Sequence, residues 1–197
     1  MSTAIILAGG RSSRSGRIHK GLRQLNATDR SYSWLEHQVE QLRNAGYSRI
    51  IIATGYRSRR LIAKVGSLKQ MHNPTPEQGP FSTLKAALRG FQSGHTLLVP
   101  IDTPVPKPGV MHKLRCALHG KLAAKPCHQG RGAHPLLLSQ DLVRKIRSTD
   151  IGRTDARLDK QLHQLEYTEI GTVEVTATEI HRNLNTELEW RKYKRLI

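Results

Sequence analysis

Short, uninterrupted apolar runs separated by helix-length segments constrain this chain most. Thr3-Ala-Ile-Ile-Leu-Ala8, Ile50-Ile-Ile-Ala53 after Arg49, and Thr96-Leu-Leu-Val-Pro-Ile101 before Asp102 hold almost no polar residue. A strand with one wet face alternates apolar and polar residues; a strand covered on both faces does not. These runs therefore read as central strands of a sheet with helices on each side. Between them lie helical patterns. Ser33-Trp-Leu-Glu36 is a capping box, followed by Leu35, Val39 and Leu42 at helical spacing and stopped by Gly46. Further helices are expected over 57–65, 82–91, 109–118, 139–147, 154–164 and from Thr186 onward, with strands near 69–72, 121–125, 134–138 and 172–176. Residues 73–80 carry three prolines and a glycine and are expected to form a loop. No repeat, linker or shift of composition divides the chain. The expectation is one α/β domain over residues 1–197, a Rossmann-like three-layer sandwich on a mainly parallel sheet.

No apolar stretch approaches the roughly 20 residues of a membrane helix. The chain enters its first strand pattern by Thr3, with no basic segment or small-residue cleavage site ahead of it, so no signal peptide is expected. Cys116 and Cys127 match no zinc or redox spacing and fit a reducing cytoplasm. The net charge is the unusual quantity: 32 Lys and Arg against 15 Asp and Glu, or +17. Such a field draws polyanions without specifying a fold. The basic residues are spread along the chain, and 5% aromatic content offers no base-stacking platform. Composition does not choose between nucleic acid and phosphorylated small molecules, and the motifs decide.

In open parallel sheets, ligands sit outside the carboxyl ends of the strands. Two segments fall there. Leu7-Ala8-Gly9-Gly10-Arg11-Ser-Ser-Arg14-Ser-Gly16-Arg-Ile-His-Lys20 follows the first strand; its glycines let backbone N–H groups approach phosphate oxygens, and Arg14 and Lys20 add charge. It is neither a dinucleotide fingerprint nor a P-loop, since both spacings fail. Asp102 ends a later strand. Each feature has a plainer alternative: the Gly-Gly pair a turn, Asp102 a helix cap, Asn183 and Asn185 turn residues, Thr186 an N-cap, His134 a core histidine.

The glycine segment resembles the L-A-G-G-x-S-x-R-x-G-(x)-K signature of the nucleotidyltransferases that build molybdopterin dinucleotide cofactors. The resemblance continues in order. Leu35-Glu36-His37 and the following strand are similar to that family's first helix and second strand. Asn73-Pro74…Glu77-Gln78-Gly79-Pro80-Phe81-Ser82-Thr83-Leu84 resembles its nucleobase-side loop, and Leu98-Val-Pro-Ile-Asp102-Thr-Pro104 its metal-aspartate strand. Gly132-Ala-His134-Pro135 resembles its acceptor-side element, and Asn183-Leu-Asn185-Thr186 its late N-x-N-T element. Three departures stand out: an extra residue between Gly16 and Lys20, Ser15 in place of an apolar residue, and Glu187 where proline is common.

The resemblance implies Arg14, Lys20 and Asp102 as catalytic residues. It implies nucleotide contacts at Leu7, Ala8, Gly9, Gly10, Lys20, Asn73, Gly79 and Asp102. Mg²⁺ would be held by Asp102 with Asn185, ahead of Asn183, and His134 would lie on the acceptor side. The implied reaction moves NMP from GTP or CTP onto a phosphate acceptor, molybdopterin first, with pyrophosphate released. A sugar phosphate or phosphocholine acceptor, or an inactive fold that binds nucleic acid, are the alternatives. Implied partners are an NTP, a phosphorylated small molecule and a cofactor-delivery protein. Gly79-Pro80 leans toward guanine, while Asp150-Ile-Gly-Arg153…Ala156-Arg157 resembles the acceptor loop of the cytosine-using branch.

Overall fold

The computed structural model describes residues 2–11, 18–25, 32–56, 58–91, 93–175 and 183–195. Strands β1 (Thr3–Ala8), β2 (Arg49–Thr54), β3 (Lys69–His72), β4 (Thr96–Pro100), β5 (Ala123–His128), β6 (Arg131–Gly132), β7 (Leu136–Leu138) and β8 (Ile170–Glu174) join in one sheet. Its order is β3-β2-β1-β4-β7-β5-β6, with β8 also paired to β5. β1 runs parallel to β2 and β4, β2 to β3, and β5 to β8. β7 is antiparallel to both β4 and β5, and β6 to β5. The sheet is thus mixed but mainly parallel.

Successive residues of a strand face opposite ways, and the core divides accordingly. Ala4, Ile6 and Ala8 of β1 join Leu35, Val39 and Leu42 of α1 (Trp34–Asn44), Met111 and Leu114 of α4 (Pro108–Ala117), and Trp190 and Tyr193 of α7 (Glu187–Lys194). Ile5, with Ile51 and Ala53 of β2, faces Phe81, Leu84 and Leu88 of α3 (Pro80–Leu88) and Leu142, Val143 and Ile146 of α5 (Gln140–Ser148). Helices cover both faces, the expected three-layer arrangement. The two short helices are α2 (Arg59–Val65) and α6 (Leu158–His163).

Local chemistry sets the helix starts. Ser33 caps α1, its side chain and that of Glu36 exchanging bonds with each other's backbone. Thr186 and Glu189 do the same for α7, so the plainer reading of Thr186 holds. α3 begins at Pro80, two residues ahead of the expectation, because Gly79 turns the chain with φ at 90° and Pro80 takes the first helical position. The expected loop before it contains a 3₁₀ turn at Pro76–Gln78.

The chain leaves β1 for β2 through α1 on one face and returns from β3 to β4 through α3 on the other. Strand order therefore reverses between β1 and β4, and the crevice at their carboxyl ends is where such sheets bind ligands.

Candidate active site

A cleft of about 970 Å³ opens at that reversal. Gly9, Gly10 and Arg11 follow β1 on its wall, Tyr56 follows β2, and Asp102 follows β4. Pro76 through Phe81 form another side, and His134 and Ala156 through Asp159 a third. Of the expected residues, Leu7, Gly9, Gly10, Lys20, Gly79, Asp102 and His134 line this one cleft. Arg14 lies outside the described residues, as does the rest of the loop over 12–17.

At position 9 the glycine loop packs tightly against the Thr83 side chain. A Cβ on Gly9 would stand 2.5 Å from Thr83 Oγ1, whereas the same position on Gly10 faces open space. Tyr56 N–H donates to the Gly9 carbonyl at 3.2 Å, tying the ends of β1 and β2 together. Arg11 reaches back over Tyr56, its carbon 4.7 Å from the ring centre and one N–H 3.0 Å from the phenol oxygen. Cation–π contact plus hydrogen bond holds this cation at the mouth of the cleft.

Lys20 heads a 3₁₀ turn, Lys20–Leu22, that His19 caps. Gly21 N–H donates to His19 Nδ1 at 3.1 Å, so that nitrogen carries no proton; Nε2 carries it and donates to the Ala8 carbonyl at 2.9 Å. Burial lowers the imidazole's pKa, the Ala8 bond opposes this, and the charge of Lys20 adds to the lowering. His19 is thus a neutral strut between the end of β1 and Lys20. Among the sequence readings it went unassigned: a lone histidine carries no spacing, and its only sign was adjacency to the lysine.

The Lys20 ammonium lies 2.8 Å from Asp102 Oδ2 and 2.5 Å from Asn185 Oδ1. A carboxylate and an amide oxygen, from the end of β4 and the start of α7, therefore converge on one positive charge. Asp102 caps no helix, since α4 starts at Pro108 with Lys107 as its cap. Asn183 turns away to accept from Thr103 Oγ1 at 3.3 Å, so Asn185 is the asparagine at the site. Two hard oxygen donors held this close together fit Mg²⁺, which takes one or two protein carboxylates and completes its shell with phosphate and water. Among the described residues, no three or more His, Cys, Asp and Glu side chains gather as a metal cluster.

Two expected contacts have other places. Asn73 is 1% exposed, and its NH₂ donates to Ser82 Oγ at 2.7 Å and Thr83 Oγ1 at 3.0 Å while its oxygen accepts from Thr75 N–H at 3.0 Å. It braces the wall from beneath. Ala8 is fully buried, and its carbonyl is taken by His19. His134, on the cleft wall, has its pKa lowered by burial, with Asp102 opposing; its buried Nδ1 has no hydrogen-bond partner. Arg157, also on the wall, pairs bidentately with Asp159 at 3.0 and 2.8 Å.

The MobA-like NTP transferase domain matches residues 4–166. A molybdenum cofactor guanylyltransferase of Haemophilus influenzae is 33% identical over 150 residues, 74% of each chain. A molybdenum cofactor cytidylyltransferase of Escherichia coli is 34% identical over 96 residues, 47% of this chain and half the length of that relative. Among solved structures, a nucleotidyl transferase from Methanothermobacter superposes with a TM-score of 0.81 at 20% identity, covering 100% of this chain and 97% of that one. The molybdopterin-guanine dinucleotide biosynthesis protein A of Archaeoglobus fulgidus gives 0.72 at 17% identity, covering 100% and 98%. The domain match ends before Asn185, whereas the structural likenesses run the whole length. On this evidence the chain belongs to the family of MobA-like NTP transferases, with the fold of the nucleotidyltransferases.

Proposed function

We propose that this protein transfers a nucleoside monophosphate from GTP or CTP to the phosphate of molybdopterin, with Mg²⁺ as cofactor and pyrophosphate as second product. The observation that carries the reading is the convergence of Asp102 and Asn185 on Lys20, with Lys20 and Asp102 lining a cleft walled by a glycine loop. Family membership supports the class of reaction, and the names of the relatives support the acceptor.

The acceptor's phosphate oxygen is an anion at neutral pH and needs no general base. It forms a bond to the α-phosphorus of the NTP while the bond from that phosphorus to the pyrophosphate oxygen breaks, and the electron pair leaves with pyrophosphate. The obstacle is repulsion between two polyanions and their alignment, so positioning and charge do the work. Backbone N–H groups at Gly9 and Gly10 face the triphosphate. Lys20 and Arg14 stabilise charge growing on the pyrophosphate oxygens. Asp102 and Asn185 would hold Mg²⁺, which when bound would neutralise phosphate charge. Asn73 keeps the wall around Gly79 in shape for the base. A neutral His134 faces the acceptor without adding charge. No helix among the described residues is long and apolar enough to cross a membrane. With free Cys116 and Cys127, a cytoplasmic setting goes with this reading, as does a delivery protein that takes up the product.

The test is product formation from each NTP with Mg²⁺ and molybdopterin, read as the dinucleotide by mass spectrometry, with sugar phosphates and phosphocholine as parallel acceptors. Dinucleotide from GTP or CTP with molybdopterin alone is expected. Product only with another acceptor would overturn the acceptor assignment.

A further inference from the structure

Three consecutive carbonyls around Asp102 are each taken by a donor from elsewhere in the fold. Trp34 Nε1 donates to Ile101 O at 2.5 Å, Leu184 N–H to Asp102 O at 2.7 Å, and Gln38 Nε2 to Thr103 O at 2.7 Å. Trp34 and Gln38 stand one helical turn apart on α1 and so share its inward face. Both are fully buried and neither lines the cleft. The Oε1 of Gln38 has no hydrogen-bond partner. A half-satisfied buried amide costs stability that an apolar side chain of the same length would not. The fold carries that cost at the point where it fixes the backbone beside Asp102.

Trp34 also touches the other half of the site. Its ring meets Trp190 edge-on at 5.1 Å and Tyr193 at 5.4 Å, both on α7. The N-cap of α7 is Thr186, directly after Asn185, and Glu189 of α7 accepts from Asn185 N–H at 2.7 Å. One side chain therefore grips the end of β4 by its N–H and the helix that carries Asn185 by its ring. Arg23 reinforces the same docking, lying 5.3 Å from the Trp190 ring centre and paired with Glu187 at 2.7 Å.

We propose that Trp34 and Gln38 are positioning residues for the divalent-cation site: they set the spacing between the Asp102 and Asn185 oxygens without touching cation or substrate. This rests on the reading of those two residues as its ligands. Residues that orient metal ligands from behind change metal affinity or activity by about 10–100-fold when lost.

The experiment uses the full chain with Mn²⁺ as spectroscopic probe, its binding followed by electron paramagnetic resonance in the presence of a non-reacting α,β-methylene NTP. Gln38→Met removes the donor and keeps the length; Trp34→Phe removes the N–H and keeps most of the ring packing. Each is expected to weaken Mn²⁺ binding by about 10–100-fold, with cooperative melting retained. Because the Gln38 side chain bonds only to the backbone beside Asp102, Gln38→Met should add nothing in an Asp102→Asn background. Unchanged Mn²⁺ affinity in folded Gln38→Met, alongside a loss in Asp102→Asn, overturns the positioning role and leaves the ligand reading intact. Unchanged affinity in Asp102→Asn itself removes the ligand reading and the proposal with it. Equal loss from Gln38→Met in wild-type and Asp102→Asn backgrounds identifies a general structural effect and also overturns it.

Discussion

The ammonium of Lys20 and the carboxylate of Asp102 lie 2.8 Å apart although 82 residues separate them in the chain. The same lysine is 2.5 Å from Asn185, so it binds the two oxygens assigned to the metal. A divalent cation at those oxygens repels the ammonium strongly at such range. On the proposed reading, triphosphate would offer Lys20 other oxygens, so nucleotide and metal would bind cooperatively. Lys20→Met should therefore strengthen Mn²⁺ binding in the absence of nucleotide while lowering turnover by about 10²–10³-fold. Titration of Mn²⁺ with and without NTP checks this. Equal affinity in both proteins would show that lysine and metal do not share the site.

Asp102→Ala removes the carboxylate paired with Lys20. Turnover should fall by about 10³-fold or more, since charge stabilisation by a bound metal amounts to several kcal/mol. Melting should stay cooperative, because the Asp102 side chain is 25% exposed and caps no helix. Steady-state assay with circular dichroism melting decides; near-normal rates would end the metal role.

Gly9→Ala places a methyl group 2.5 Å from Thr83 Oγ1 and 3.1 Å from its Cβ. Overpacking of this kind costs about 1–3 kcal/mol, and here the loop that faces phosphate has to move. KM for the NTP should rise more than kcat falls. Adding Thr83→Ala removes the nearest atoms and should restore much of the loss, a coupling that a double-mutant cycle reads directly.

His19 supplies a pH dependence. Its folded pKa is lowered chiefly by burial, so the unfolded chain binds the proton more readily. Stability contributed by the neutral ring is fully present above the ordinary histidine value of about 6.5. It is lost as pH falls through that value toward the lowered one, because the unfolded state then binds more protons. Protonation would also set an Nδ1 proton against the Gly21 N–H. Melting between pH 5 and 7.5 should show a smaller acid loss in His19→Gln than in the parent. An unchanged slope would rule out His19 as its source.

The central strands were legible because β1, β2 and β4 are covered on both faces and tolerate almost nothing polar. Direction was not: Leu136–Leu138 reads as a buried strand, but nothing in three leucines says that it runs antiparallel to β4. β6 escaped notice because Arg131–Gly132 is exposed and has no apolar pattern. Helical spacing suggested a start near 154, yet α6 begins at Leu158. Arg153 and Asp155 pair bidentately, and Gln161 and Gln164 bond to Asp155, so local side-chain bonds hold that stretch as a turn.

At the site, Lys20 and Asp102 were legible through a motif with a physical reason behind each residue. Tyr56 could have been found by the carboxyl-end rule, since it follows β2. Gln38 could not. A single glutamine in an amphipathic helix looks like surface until the fold shows it to be buried against the Thr103 carbonyl.

Binding of an NTP in this cleft through metal and lysine together can be read from thermal melting against ATP, GTP, CTP and UTP, each with and without Mg²⁺. A ligand that binds only the folded state raises the melting temperature by mass action, by an amount equivalent to about 2.7 kcal/mol at one hundred times its Kd. A rise with GTP or CTP is expected, larger with Mg²⁺ and lost in Asp102→Ala. No rise with any nucleotide, or a rise that survives Asp102→Ala with its Mg²⁺ dependence intact, would contradict it.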